Sequence, residues 1–247
     1  MNAIPLVLYA AAAIAYAVHF ARREPGVGRA ATTLLLFAAL AHTFVIGMQT
    51  MEVRHLPFAN PSRAISTFVW LLTLSYLYVE LTTDERAMGV FILPIVVSLQ
   101  VVPVISPGVE NIDPVLDSPW FWVHVGSLLF AYASFALAGV LGLIYMLQFK
   151  EIKKKHLGYF YTRLPSLQIL DLMNSRAVTV GWAFLTVGVV VGVLWASQAR
   201  SLSPDDPNLR AMGLADPKIF VAGVTWVVYS FAITARRTMG WTGRRAA

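Results

Sequence analysis

Seven apolar stretches, each about long enough to cross a ~30 Å hydrocarbon layer, occupy most of this chain of 247 residues. Backbone polar groups cannot stay unpaired in lipid, so a spanning chain forms either helices or a closed barrel. Uninterrupted apolar runs favour helices over the alternating pattern of barrel strands. We therefore predict an all-α, polytopic membrane helix bundle that forms one transmembrane domain, 1–247, with helices over about 3–21, 30–51, 64–83, 87–106, 119–149, 177–199 and 217–235.

The composition agrees with a fold that has lipid as its solvent. Hydrophobic residues make up 57% of the chain and charged residues 13%, which leaves too few charges to cover a water-facing globule. The fifth stretch exceeds the ~30 Å layer, so we expect it to tilt or to project into water. No basic residue precedes the first stretch, and Arg22 and Arg23 follow it, so we expect a retained membrane anchor rather than a cleaved signal.

The basic residues lie mainly on one side of the predicted helices. With an external N-terminus, the segments after the first, third, fifth and seventh helices are cytoplasmic and hold 14 of the 19 lysines and arginines. The external segments hold the others, Arg54, Arg63, Arg200, Arg210 and Lys218. We predict an external N-terminus and a cytoplasmic C-terminus, so the net charge of +6 indicates orientation rather than nucleic-acid binding.

Several kinds of chemistry lack the residues they need. The chain has no cysteine, which excludes disulfides, thiolate nucleophiles and iron–sulfur ligation, so any thiol chemistry belongs to a partner. The phosphate-binding motif GxxxxGK[ST] does not occur. Glu52 and Glu80 are expected near helix ends rather than at mid-membrane, which disfavours an ion-coupled transporter. No feature of the sequence indicates catalysis.

Five histidines remain as candidates for chemistry. His19, near the end of the first helix, and His156, in a lysine-rich segment, are expected to be solvated or interfacial. His42 falls within the second helix, where a polar side chain needs a partner. That partner is either a hydroxyl or carbonyl of a neighbouring helix or a functional group, and the sequence leaves both open.

His55 and His124 are both predicted at the external face. The fifth helix is expected to begin at Pro119 after a serine cap, and Trp120 shares a helix face with His124 four residues later. Trp120 and Trp122 are typical of an aromatic belt at the level of the lipid headgroups. A neutral imidazole beside large flat apolar side chains also suits an axial haem ligand, and both interpretations stay open.

Three segments share features that point to one family. They are a helix that opens with His124 and runs to 147, His42-Thr43 followed by a Pro…Asn loop over 56–60, and Asp216-Pro217-Lys218 followed by Trp226, Tyr229 and a basic tail over 240–247. In this order they resemble segments of the cytochrome c assembly membrane proteins, the haem-handling CcsA, CcmC and HemX type.

The sequence departs from that family's pattern at several places. Members that present haem carry a tryptophan-rich external motif before Asp-Pro-Lys, whereas residues 199–215 contain no tryptophan. The family's histidine near the inner end of the following helix is absent from 229–236, and Arg63 stands where an acidic residue is usual. A further helix preceded by a second external histidine does not follow before Ala247. We therefore expect a divergent, HemX-like member that lacks the tryptophan-rich motif.

The resemblance implies a membrane protein of cytochrome c biogenesis that binds, shelters or helps to deliver haem at the external face. It implies haem as the cofactor, His124 paired with His42 or His55 as iron ligands, and Trp120 and Trp122 as flanking aromatic residues. It also implies a multi-pass protein of the cell's inner (plasma) membrane. The expected partners are the lipid bilayer, other membrane subunits of the assembly system, and an apocytochrome or a thiol-reducing protein, with no nucleic acid.

Two other functions stay open. A non-haem scaffold or regulatory subunit would dock partner membrane proteins, and Gly188 and Gly192 would give it a close-packing face, although this spacing is equally common inside a bundle. A small-solute transporter or channel would need helices interrupted at the midplane, for which Pro94 and Pro103 in the fourth helix are the only indication.

Overall fold

The computed structural model describes residues 1–53, 55, 56, 58, 60–106, 108, 118–154, 158, 162–202 and 217–240, and the side chains of 199–202 and 218 are outside this description. The described residues form seven helices and no strand, which confirms the all-α prediction. The helices are α1 (Ala3–Arg22), α2 (Pro25–Val53), α3 (Pro61–Thr83), α4 (Gly89–Ile105), α5 (Pro119–Lys153), α6 (Leu167–Leu202) and α7 (Pro217–Thr238).

Six of these helices are long and apolar enough to cross a membrane. The exception, α4, has 17 residues and is apolar, which places it at the lower end of the roughly 17–25 residues that span a bilayer. It is continuous through Pro94 and Pro103, so these prolines do not create the interrupted helix that a transporter site would need. The predicted polytopic membrane bundle is confirmed, and its orientation stays a prediction.

Successive helices run in opposite directions, so their termini gather at two ends of the bundle. At one end, Asn2 before α1 donates a hydrogen bond of 2.9 Å to the carbonyl of Pro103 in α4. At the other end, Arg163 before α6 donates a hydrogen bond of 2.7 Å to a carbonyl in the last turn of α1. We call the first the His55 end and the second the Glu80 end, after a residue at each. The sequence predicts that the His55 end is external.

Helix α3 is the most enclosed spanning helix. It packs against α2, α4, α5 and α6, and 61% of the residues in its apolar membrane-spanning stretch are buried. Its start is fixed by Asn60, whose side chain accepts a hydrogen bond of 3.1 Å from the backbone N–H of Arg63, and by Pro61 at the first helical position. Further along α3, Ser66 and Glu80 face α1 and α2.

Helix α6 begins at Leu167, well before the predicted start at 177. Its first turns contain Asp171 and Asn174, which lower the local hydropathy that guided the prediction. Leu170 and Met173 are nevertheless fully buried at the three-residue spacing of one helix face. The first part of α6 is therefore amphipathic, and hydropathy alone does not detect it.

Helix α7 lies at the edge of the bundle and packs against α6. Trp182 of α6 donates a hydrogen bond of 2.7 Å to the Ser230 hydroxyl, and Trp226 donates one of 2.9 Å to the Thr186 hydroxyl. Only 6% of the residues in the apolar membrane-spanning stretch of α7 are buried, so most of its surface faces away from the bundle.

Candidate functional site at the His55 end

His124 lies in the second turn of α5 and turns its ring towards α6. Its Nδ1 atom lies 2.7 Å from the carbonyl oxygen of Gly188. A carbonyl only accepts hydrogen bonds, so in the neutral ring Nδ1 carries the proton and Nε2 keeps the lone pair. The ring is partly exposed, and Gly188 is its hydrogen-bond partner among the described residues. Metal-bound histidines have this arrangement, in which one ring nitrogen donates to a carbonyl and the other binds the metal.

Two glycines of α6 make room for this contact. A Cβ atom at Gly192 would lie 2.4 Å from His124 Nδ1, and one at Gly188 would lie 2.8 Å from the side chain of Leu128. Both distances are too short for a real side chain, so α5 can approach α6 here only because these positions are glycine. The Gly188 and Gly192 pair is therefore an internal packing contact, and α5 already covers the face that a docking scaffold would use.

His55 lies in the connection between α2 and α3 and stacks on Trp122 of α5. The two rings are nearly parallel, at 4°, with centroids 5.1 Å apart, and His55 Nδ1 lies 3.1 Å from the carbonyl of Leu56. Trp122 also contacts Phe58 edge to face, at 6.2 Å, and only 7% of it is exposed. Trp120 is 49% exposed, as expected for an aromatic belt, whereas Trp122 is enclosed by protein.

Phe121 and Trp195 extend this aromatic group to α6. The Phe121 ring lies 5.3 Å from the ring of Trp122 and 5.2 Å from that of Trp195. Trp195 comes three residues after Gly192 and is 6% exposed, so it packs beside the contact between His124 and α6. The sequence did not single out Phe121 or Trp195, because an aromatic residue in an apolar stretch is indistinguishable from ordinary core.

His42 is enclosed between α1, α2 and α3. Its Nδ1 lies 3.0 Å from the hydroxyl of Tyr9, and its Nε2 lies 3.0 Å from the hydroxyl of Ser66. The Ser66 hydroxyl also accepts a hydrogen bond of 3.4 Å from Gln100. His42 is 0% exposed, so both ring nitrogens are used inside a closed polar cluster. Iron ligation by His42 would require one of these hydrogen bonds to break.

The three candidate histidines occupy three separate settings. His42 is enclosed near α1, His124 faces α6, and His55 stacks on Trp122. Because Trp122 and His124 are two residues apart on a helix, their side chains point to nearly opposite sides of α5, about 160° apart. Within the part of the chain that is described, no group of three or more His, Cys, Asp or Glu residues could hold a metal ion.

Of the other predicted features, some lie in the described part of the chain and some lie outside it. His19 lies half-buried near the end of α1, with its Nδ1 3.1 Å from the carbonyl of Glu24 and its ring against Gly28 of α2. Ser118 occupies the N-cap position of α5 in an extended conformation, although its side chain makes no capping hydrogen bond. His156, the segment 203–216 with Asp216, and the tail 241–247 lie outside the described residues.

Glu80 is a polar residue whose role the sequence did not reveal. It was expected near a helix end, and the structure buries it, with 1% of its surface exposed. Its carboxylate accepts hydrogen bonds of 2.7 and 2.8 Å from the Tyr16 hydroxyl and of 2.5 Å from the Thr32 hydroxyl. Arg86 in turn donates a hydrogen bond of 3.2 Å to Thr32. The available signal was the recurrence of polar residues along one face of α3, which ends at Glu80.

The fold and this site define a multi-pass membrane helix bundle with His55, His124 and several aromatic rings at one end. A family model described as "Cytochrome C assembly protein" matches residues 4–247, and the chain belongs to this family. The predicted family is therefore confirmed.

Similar proteins named "Cytochrome c biogenesis protein CcsA" occur in several organisms. The one from Guillardia theta is 26% identical over 232 residues, which cover 86% of this chain and 74% of that protein. The one from Trieres chinensis is 24% identical over 236 residues, covering 83% and 73%. The one from Microcystis aeruginosa is 24% identical over 272 residues, covering 90% and 79%. The narrower HemX-like grouping stays a prediction.

Proposed function

We propose that this protein binds or shelters haem at the His55 end and supports its delivery during cytochrome c biogenesis, with His124 as an axial ligand. The observation that carries the proposal is the hydrogen bond of 2.7 Å between His124 Nδ1 and the Gly188 carbonyl. This bond holds the ring in one orientation and makes Nε2 the nitrogen that is suited to iron. Membership of the cytochrome c assembly family and the names of the similar proteins support the pathway.

The side chains near His124 suit a large, flat and apolar ligand. Trp120 shares a helix face with His124 and is half exposed. The rings of Phe121 and Trp195 touch each other close to where His124 of α5 meets α6. Aromatic rings of this size stack on flat π-systems and exclude water from them. In the proposal Trp120 and Phe121 supply the aromatic surface that the tryptophan-free segment 199–215 does not provide, and the buried Trp195 supports Phe121 from α6.

His55 is the candidate for a second ligand. It lies at the same end of the bundle, in a connection rather than in a helix, and connections change conformation at less cost than packed helices. Trp122 and His124 point to nearly opposite sides of α5, about 160° apart. His55 would therefore have to leave its stack on Trp122 to share one iron with His124. His42 instead stabilises the packing of α1, α2 and α3 through its two hydrogen bonds.

The chain's own contribution is to hold and orient the ligand. Bound haem would supply the iron and the vinyl groups that cytochrome c maturation joins to thiols. His124 would provide the nitrogen ligand, and the aromatic rings would keep water away. Because the chain has no cysteine, the thiols would belong to an apocytochrome held by another membrane subunit and kept reduced by a thiol-reducing protein. With the predicted orientation, the site faces outwards from the cell's inner (plasma) membrane.

The alternative is a non-haem scaffold that docks partner membrane proteins. The exposed surface of α7 favours it, since Val221, Val224 and Val228 are 60%, 46% and 55% exposed. Lipid covers such a surface equally well, because there is no hydrophobic force between helices in a bilayer. Gly188 and Gly192 do not add to this alternative, because they are in contact with α5.

An absorption spectrum of the full chain, purified in detergent after expression with added haem precursor, tests the proposal. We expect a stoichiometric Soret band that shifts when dithionite reduces the iron. A colourless protein that also fails to take up added haemin would contradict direct haem binding and leave the scaffold as the better account.

A further inference from the structure

A groove between α5, α6 and α7 lies away from the histidines, towards the Glu80 end. It consists of two cavities of about 240 and 170 Å³ that share Asn174, Val178 and Tyr229 in their walls. Each volume is several times the ~30 Å³ that one water occupies in the liquid, so the groove is too large for a single bound water. Leu143 at its edge is 60% exposed, so the groove opens to the surroundings of the bundle.

The groove exists because α7 touches α5 at Phe135 and leaves a gap between the two helices from there towards the Glu80 end. Phe135 of α5 and Tyr229 of α7 stack with centroids 4.0 Å apart and an angle of 6° between the rings. Towards the Glu80 end, α5 has Gly139 and Gly142 on the groove, and a Cβ at Gly139 would meet nothing within 4 Å. This part of the groove lies within the membrane-spanning length of α5 and has apolar residues in its walls, as an acyl chain requires.

The two ends of the groove differ in chemistry. Arg236 and Arg237 of α7 line the end nearer the Glu80 end of the bundle. Arg236 is paired with Asp171 of α6, whereas Arg237 is exposed and forms no ion pair with the described residues. Between Arg237 and the stack of Phe135 on Tyr229 lies Asn174, which is 7% exposed and donates a hydrogen bond of 2.7 Å to the carbonyl of Ala138. The Asn174 amide therefore places polar atoms inside the groove.

We infer that this groove binds an anionic phospholipid, with the phosphate at Arg237, the glycerol region beside Asn174 and Gly142, and one acyl chain along Gly139 towards Tyr229. Apolar contact alone gives no preference in a bilayer, because every lipid offers the same chains. Charge complementarity decides the occupant, since basic pockets between membrane helices select anionic headgroups. The inference stands on the groove alone and does not depend on haem binding.

Native mass spectrometry of the full chain in a neutral detergent tests this inference, with phosphatidylglycerol and phosphatidylcholine added in equal amounts. We expect the wild type to retain phosphatidylglycerol in preference. Arg237→Gln should weaken this binding about fivefold, the change that one basic residue near anionic lipid produces. Arg29→Gln removes the same charge at an exposed position near the Glu80 end of α2, and it should leave the binding unchanged.

A second pair of variants tests the apolar part of the groove. Gly139→Leu should fill it and reduce phosphatidylglycerol binding, whereas Gly223→Leu, which also enters open space but lies outside the groove, should not. Equal retention of the two lipids by the wild type, or an equal loss in Arg237→Gln and Arg29→Gln, would overturn the inference. Displacement of the lipid by glycerol 3-phosphate at the same concentration would also overturn it, because the site would then bind the phosphate alone.

Discussion

His42 and His124 both lie on membrane-spanning helices, yet the structure gives them opposite surroundings. His42 is 0% exposed, and hydroxyls of Tyr9 and Ser66 occupy both of its ring nitrogens. His124 is partly exposed, and among the described residues its hydrogen bond is the one from Nδ1 to the Gly188 carbonyl. The difference teaches that a histidine in a membrane helix serves packing when both nitrogens are hydrogen-bonded, and is suited to a ligand when one nitrogen is held and the other keeps its lone pair.

The largest effect on stability is expected at the enclosed histidine. His42→Ala removes two buried hydrogen bonds and leaves a cavity between α1, α2 and α3, so it should lower the free energy of unfolding by about 3 kcal/mol. Denaturation in increasing SDS, followed by circular dichroism, measures this loss. Phe44→Ala, which removes a 69% exposed ring from the same helix, is the matched control and should change it little. If His42→Ala kept wild-type stability and lost haem, the assignment of His42 to packing would be wrong.

A somewhat smaller effect on stability is expected at Gly192, the glycine of α6 that contacts the partly exposed His124. Gly192→Leu places a side chain where a Cβ alone would lie 2.4 Å from His124 Nδ1, so α5 and α6 must separate. We expect a loss of about 2 kcal/mol in the free energy of unfolding, together with loss of haem uptake. Gly223→Leu enters open space on α7 and should preserve both. Normal haem uptake by folded Gly192→Leu would show that the position of His124 does not matter.

The smallest effect is expected from a single hydroxyl. Tyr9→Phe removes the hydrogen bond of 3.0 Å to His42 Nδ1 and should cost about 1 kcal/mol. Tyr78→Phe is the control, because Tyr78 is 46% exposed. The same SDS titration compares the two variants. Equal stability of both would mean that the polar cluster around His42 contributes nothing to packing.

The arrangement of helices was largely predictable from the sequence. Apolar runs of membrane length indicate spanning helices without knowledge of their neighbours. The first turns of α6 were missed because Asp171 and Asn174 lower the hydropathy, and because their partners, Arg236 and the Ala138 carbonyl, come from other helices. A polar residue that is satisfied by a distant helix looks like a loop residue in a sequence.

The candidate site was predictable only in part. His124, Trp120 and Trp122 were identifiable from their types and spacing, but their partners were not. The contacts of His124 with Gly188 and of Trp122 with His55 join residues from different elements. Glu80 was overlooked for the same reason, because Tyr16 and Thr32 come from α1 and α2. Spacing shows which residues share a face of one helix, whereas the faces that meet depend on the packing of the whole bundle.

The most direct test of the difference between the two histidines is a haemin titration of His124→Ala and His42→Ala, with the wild type beside them. We expect folded His42→Ala to bind haem with the wild-type Soret band. His124→Ala should lose that band, and free imidazole, which can enter the space left by the ring, should restore it. A wild-type spectrum and affinity in His124→Ala without imidazole would contradict the proposal that His124 is the ligand.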